Sequence, residues 1–74
     1  MKYLRIKTGN FYIFPLSINH AAFARENYIR REDIASAGFI YGGKCRDKSV
    51  SLGLEAGPTD TADLREQMGM EAIL

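Results

Sequence analysis

A single cysteine, Cys45, excludes an intrachain disulfide, and with His20 as the only histidine no Cys/His set can close a zinc site. Small chains without either staple often rely on a partner subunit. In 74 residues the buried apolar area barely offsets the cost of ordering the chain. Charge of one sign is also scarce: ten Lys and Arg against nine Asp and Glu leave a net charge of +1, so the total predicts no general attraction to nucleic acid or anionic membrane. There is no run of eighteen apolar residues, and the opening M-K-Y-L-R-I-K is broken by charges before it reaches signal-peptide length. The expectation is one cytosolic domain, residues 1–74, with no membrane partner.

The same scarcity bears on catalysis. Cys45 lies between Lys44 and Arg46, two cations that would favour a thiolate. No base accompanies it, and a loop cysteine is the simpler reading. His20 reads as a surface or cap-side residue, and no Ser/His/Asp arrangement stands out. The carboxylates of the last predicted helix read as a solvated face suited to the helix dipole. The sequence therefore predicts no enzyme, no cofactor and no metal.

What is present is a pattern of short strands and two short helices. In K-Y-L-R-I-K, residues 2–7, Leu4 and Ile6 alternate with Tyr3, Arg5 and Lys7, the period of a half-buried strand. F-Y-I-F-P-L, residues 11–16, reads as a second strand, and Gly9-Asn10 as a two-residue loop pairs Ile6 with Ile13, Lys7 with Tyr12 and Arg5 with Phe14. Ser17 then caps a helix through I-N-H-A-A-F-A-R-E that ends near Asn27. R-E-D-I, residues 31–34, makes a turn into a third strand, A-S-A-G-F-I-Y, and K-S-V-S-L-G-L makes a fourth. Gly57-Pro58 breaks that strand. Thr59 or Asp60 caps a last helix with Ala62, Leu64 and Met68 among its inward candidates, and Gly69 ends it or loosens it. The tail 69–74 reads equally as frayed or docked. The fold class is α+β: an antiparallel sheet of about four strands with two helices on one face, in the order β-β-α-β-β-α. Strand-strand-helix occurring twice suggests a pseudo-duplication.

Gly38, Gly43 and Lys44 have the spacing of a phosphate-binding loop, with Cys45 where Ser or Thr is needed. Such a loop must open a helix, whereas a strand follows here, so Gly42, Gly43 and the polar run to Lys48 are read as the loop of a second hairpin. The segment A-S-A-G-F-I-Y-x-G resembles the first strands of the baculoviral inhibitor repeat. That family's zinc site needs three cysteines and a histidine downstream, so the resemblance implies no metal here. I-F-P, S-A-G-F-I and C-R-x-K-S-V-S-L-G-L followed by G-P-T-D resemble a group of small uncharacterised bacterial and prophage-encoded proteins. That resemblance implies a stand-alone small domain and assigns no residue a role.

One constellation emerges from the inferred register. The outer face of the first hairpin gathers Tyr3, Tyr12 and Phe14 beside Arg5 and Lys7. A strand apolar on both sides points to a subunit interface on one of them, so the expectation is a homodimer, with a second protein as a further partner. Rings interleaved with cations are also the form of a single-stranded nucleic-acid platform, the alternative for the same residues.

Overall fold

The first hairpin turns earlier in the chain than its loop residues suggest, through three residues and not two. The computed structural model describes residues 1–69, so the expectation for the tail beyond Gly69 falls outside the described residues. Strand β1 (Lys2–Ile6) pairs antiparallel with β2 (Phe11–Phe14), with Lys2 opposite Phe14, Tyr3 opposite Ile13, Leu4 opposite Tyr12 and Arg5 opposite Phe11. The expected partners, Arg5 with Phe14 and Ile6 with Ile13, are therefore corrected. The chain turns earlier: the Gly9 amide donates to the Ile6 carbonyl at 2.9 Å and the Ile6 amide to Asn10 at 3.0 Å, which leaves Lys7, Thr8 and Gly9 in the loop.

Helix α1 (His20–Glu26) begins at Asn19, whose side chain accepts the Ala21 and Ala22 amides, and not at Ser17. Ser17 instead lies in a turn closed by the Ile18 amide on the Pro15 carbonyl. The helix ends at Asn27 as expected. Its last carbonyls are closed by Tyr28 and Ile29, which donate to Arg25 and Ala24 in the six-residue pattern that normally places glycine at the left-handed position. Tyr28 occupies that position with φ 58 and is 95% exposed.

A single 3-10 turn, Arg31–Asp33, leads into β3 (Ile34–Tyr41), which pairs with β1 on one side and with β4 (Lys44–Arg46) on the other. The connection is Gly42-Gly43 with φ 54 and 74, two successive left-handed residues that suit a two-residue hairpin and leave no phosphate cradle. The sheet order is β2-β1-β3-β4. K-S-V-S-L-G-L is not the fourth strand of this sheet. It folds on itself as β5 (Lys48–Ser49) and β6 (Leu54–Glu55), a small separate hairpin whose turn is closed by the Gly53 amide on the Ser49 carbonyl. Helix α2 (Asp60–Met68) ends at Gly69. Of its three expected inward residues only Leu64 is buried, while Ala62 and Met68 are exposed.

The α+β class with a four-stranded antiparallel sheet and two helices is thus realised. The helices, expected together, lie on opposite faces. Leu4, Phe14 and Ala37 pack with Ala24 of α1, and the adjacent Tyr3, which must point the other way, meets Asp60 of α2. A two-fold axis normal to the sheet would exchange the hairpins but keep both helices on one face. The two strand-strand-helix units are therefore not related by that symmetry.

Two outcomes follow for stability. Phe14 is 2% exposed and stacks on Phe23 at 4.1 Å, so Phe14→Ala should cost about 3–5 kcal/mol in urea unfolding, the range for a buried ring. Tyr28→Gly removes a left-handed side chain and should raise stability by about 1 kcal/mol in the same assay.

Candidate functional site

Alternation along β1 divides the expected interface residues. Tyr3 and Arg5 lie on the α2 face, and Tyr12 and Phe14 on the α1 face. Lys7 is exposed beyond the end of the strand, with its amide on the Asp33 carbonyl at 2.8 Å. Tyr3 and Phe14 are buried within the chain. The five residues do not make one outer surface, and their register in sequence was inferred from a turn placed too late.

What Tyr3 and Arg5 do make is a buried polar cluster around Asp60, a residue that sequence reasoning treated only as a helix cap. Oδ2 of Asp60 accepts the Tyr3 hydroxyl at 2.6 Å, the Ser36 hydroxyl at 2.6 Å and the Gly57 amide at 2.8 Å. Oδ1 accepts Arg5 at 3.0 Å, and the same guanidinium nitrogen reaches Asp63 at 2.8 Å. Burial by itself would raise the Asp60 pKa. The Ser36 and Tyr3 hydroxyls, the Gly57 amide and Arg5 overcome it and hold the carboxyl below its ordinary 3.8. Burial, followed by the adjacent carboxylate, pushes the Tyr3 phenol far above its usual range, so it stays protonated and donates to Asp60. The one signal in the sequence was G-P-T-D ahead of a helix. The pattern marks a turn and a cap, but not that the carboxylate crosses to the sheet.

Cys45 is on β4 and not in a loop. Its neighbours Lys44 and Arg46 point to the opposite face of the strand, and the thiol faces Tyr3 and Thr61. Burial, then the Asp60 charge, pushes that thiol up, so the cations expected to favour a thiolate do not. His20 is likewise no surface residue. It is 3% exposed, packed edge-on against Phe14 and Phe39, with Nε2 at 2.9 Å from the Gly38 carbonyl. A carbonyl only accepts, so Nε2 carries the proton. Burial lowers the His20 pKa, and nearby Lys2 lowers it further, against the opposing pull of that carbonyl. Among the described residues, no group of three or more His, Cys, Asp and Glu residues is placed to hold a metal ion. No described helix is long and apolar enough to cross a membrane.

The two edges of the sheet differ. In an antiparallel ladder, hydrogen-bonded pairs alternate with non-bonded ones. The Ile6 amide on Asn10 fixes the phase: Leu4 with Tyr12 and Lys2 with Phe14 are bonded pairs, so the amides and carbonyls of Phe11 and Ile13 point away from β1. Among the described residues nothing bonds to them. On the far edge, the outward Cys45 amide is taken by Thr61 Oγ1 of α2 at 2.9 Å. One edge is thus covered by a helix and flanked by Lys44 and Arg46, whereas the β2 edge is open among the described residues.

Both buried polar groups give pH signatures. Asp60 stabilises the fold fully above the ordinary carboxylate pKa, and that contribution is lost as pH falls through its lowered folded value. Tyr3→Phe should cost roughly 1.5–3 kcal/mol at pH 7, as for a hydrogen bond to a charged group, and less at pH 2. His20 acts in a higher window: the unfolded chain takes up the proton first, so stability declines as pH drops below 6.5 toward the folded value. His20→Gln should flatten the urea midpoint between pH 7 and pH 5.

Comparisons with protein-family models, with curated proteins and with solved structures find no match for this chain, so the geometry above carries the functional reading.

Proposed function

We propose that this chain is a non-enzymatic association domain that pairs with a second copy of itself through the open edge of β2. The observation that carries this is the outward set of amides and carbonyls on Phe11 and Ile13. Such an edge is a template for another strand. It is self-complementary: about a two-fold axis at Tyr12, Phe11 of each copy faces Ile13 of the other, and each such pair exchanges both of its hydrogen bonds. Pro15 would supply the next outward amide and has no N–H to offer, which limits the pairing to β2 and sets its register. The product is one continuous sheet of two four-stranded halves.

Two features support association over catalysis. Asp60, His20 and Cys45 are the groups with perturbed acidity that chemistry would use, and all three are engaged in holding the fold. Both oxygens of Asp60 already accept hydrogen bonds. The nucleic-acid reading of the first hairpin is less favoured, because Arg5 is tied to two carboxylates and Tyr3 is buried.

Sedimentation at about 100 µM should give a dimer, ten-fold above a dissociation constant of about 10 µM. Hydrogen exchange of the same sample locates the contact. The Ile13 amide should gain protection with rising concentration, while the inward Tyr12 and Phe14 amides stay protected throughout. Ile13→Pro deletes the outward N–H together with a half-buried side chain, and should yield a folded monomer. A wild-type monomer at 100 µM would overturn the proposal, as would Ile13 protection that ignores concentration, since the edge would then be covered within one chain.

A further inference from the structure

The far end of the sheet carries a second surface that the edge of β2 does not explain. Phe39 and Tyr41 are alternate residues of β3 and so project from the same face, where their rings lie parallel, 3° apart in plane, with centroids 5.9 Å apart. Phe39 is held from behind by the buried His20 ring at 5.5 Å, and Lys2 Nζ stands 5.9 Å from its centroid. Tyr41 is 44% exposed. The strand register sets Arg46 directly across from Phe39 and Lys44 directly across from Tyr41, both exposed and on the side of the sheet that bears the rings.

The charges here are available. Arg5 and Arg30 are each paired with two carboxylates, whereas among the described residues no ion pair takes up Lys2, Lys44 or Arg46. Lys2 is instead steadied by donating to the Ile18 carbonyl at 2.8 Å. Two stacked rings, one anchored and one open to solvent, with a cation across from each, form a platform whose rings meet bases and whose cations meet phosphates. An acidic polypeptide would satisfy the cations and leave the rings without a role.

We infer that the β3–β4 hairpin binds single-stranded nucleic acid without sequence preference, through Phe39 and Tyr41 as stacking rings and Lys2, Lys44 and Arg46 as phosphate contacts. Stacking on rings is tolerant of sequence because every base has a π-face. The hairpin stands at the opposite side of the sheet from β2, so this surface remains open whether or not two copies pair.

The test is anisotropy of a fluorescein-labelled ten-nucleotide thymidine oligomer titrated with full-length protein at two salt concentrations. Tyr41→Ala should weaken binding by about 5- to 150-fold. Lys44→Ala and Arg46→Ala should each reduce the slope of log K against log salt by about 0.7, the single-strand value per phosphate. Arg30→Ala, whose charge is already taken by Glu32 and Asp33, should leave binding unchanged. All of these side chains are exposed, and an unchanged urea midpoint confirms that each variant folds. No binding of the wild type at low salt would overturn the inference. So would Tyr41→Ala with wild-type affinity, or equal binding of a labelled polyglutamate, which would make the surface a general acceptor of polyanions.

Discussion

A carboxylate placed where water cannot reach it has to be satisfied by the protein or not ionised at all. Asp60 is satisfied, with two hydroxyls and an amide on one oxygen and a guanidinium on the other. Those donors come from β1, from β3 and from the segment leading into α2, so a single side chain ties the last helix to the two central strands. Replacing Asp60 would leave the Tyr3 and Ser36 hydroxyls buried without this acceptor, which is why such clusters constrain position as much as they contribute stability. Gly38 belongs to the same arrangement: a Cβ there would sit 2.6 Å from the Arg46 carbonyl and 3.4 Å from the Tyr3 ring. Glycine at this position lets β4 close over the Tyr3 side of the sheet.

With α2 fixed on one face and α1 on the other, the sheet has little open face, and the surfaces proposed for partners lie at its ends. Thr61 covers the outward amide of β4, while among the described residues nothing bonds to the outward groups of β2. The division of the helices thus decides which edge can take another strand. It also leaves the end of β3 uncovered, where Phe39 and Tyr41 emerge beside Lys44 and Arg46. Both proposed activities are therefore consequences of where the helices end.

Hydrophobic alternation, the paired glycines at 42 and 43, Asn27 and Gly69 as helix ends, and the class itself were legible in the chain, because each depends on neighbours within a few residues. The hairpin at Gly42-Gly43 illustrates the local case, since two left-handed residues in a row leave the backbone few alternatives. The fourth strand shows the limit. Val50, Leu52 and Leu54 alternate as a strand would, yet Gly53 at φ 67 folds the segment back and leaves Val50 84% exposed.

The register of β1 against β2, the face each helix covers and the role of Asp60 were decided only in three dimensions. A strand apolar on both sides has no preferred face of its own, so Tyr3 and Phe14 could be assigned only once α2 supplied a carboxylate for one face and α1 a phenylalanine for the other. By itself the sequence determined that the first two strands would pair, that the chain would turn at Gly42-Gly43 and that two helices would end at Asn27 and Gly69, and it excluded an intrachain disulfide or a Cys/His zinc site. Tertiary structure decided which residues are buried together, because burial of a polar group depends on partners more than fifty residues away, such as Tyr3 and Arg5 for Asp60.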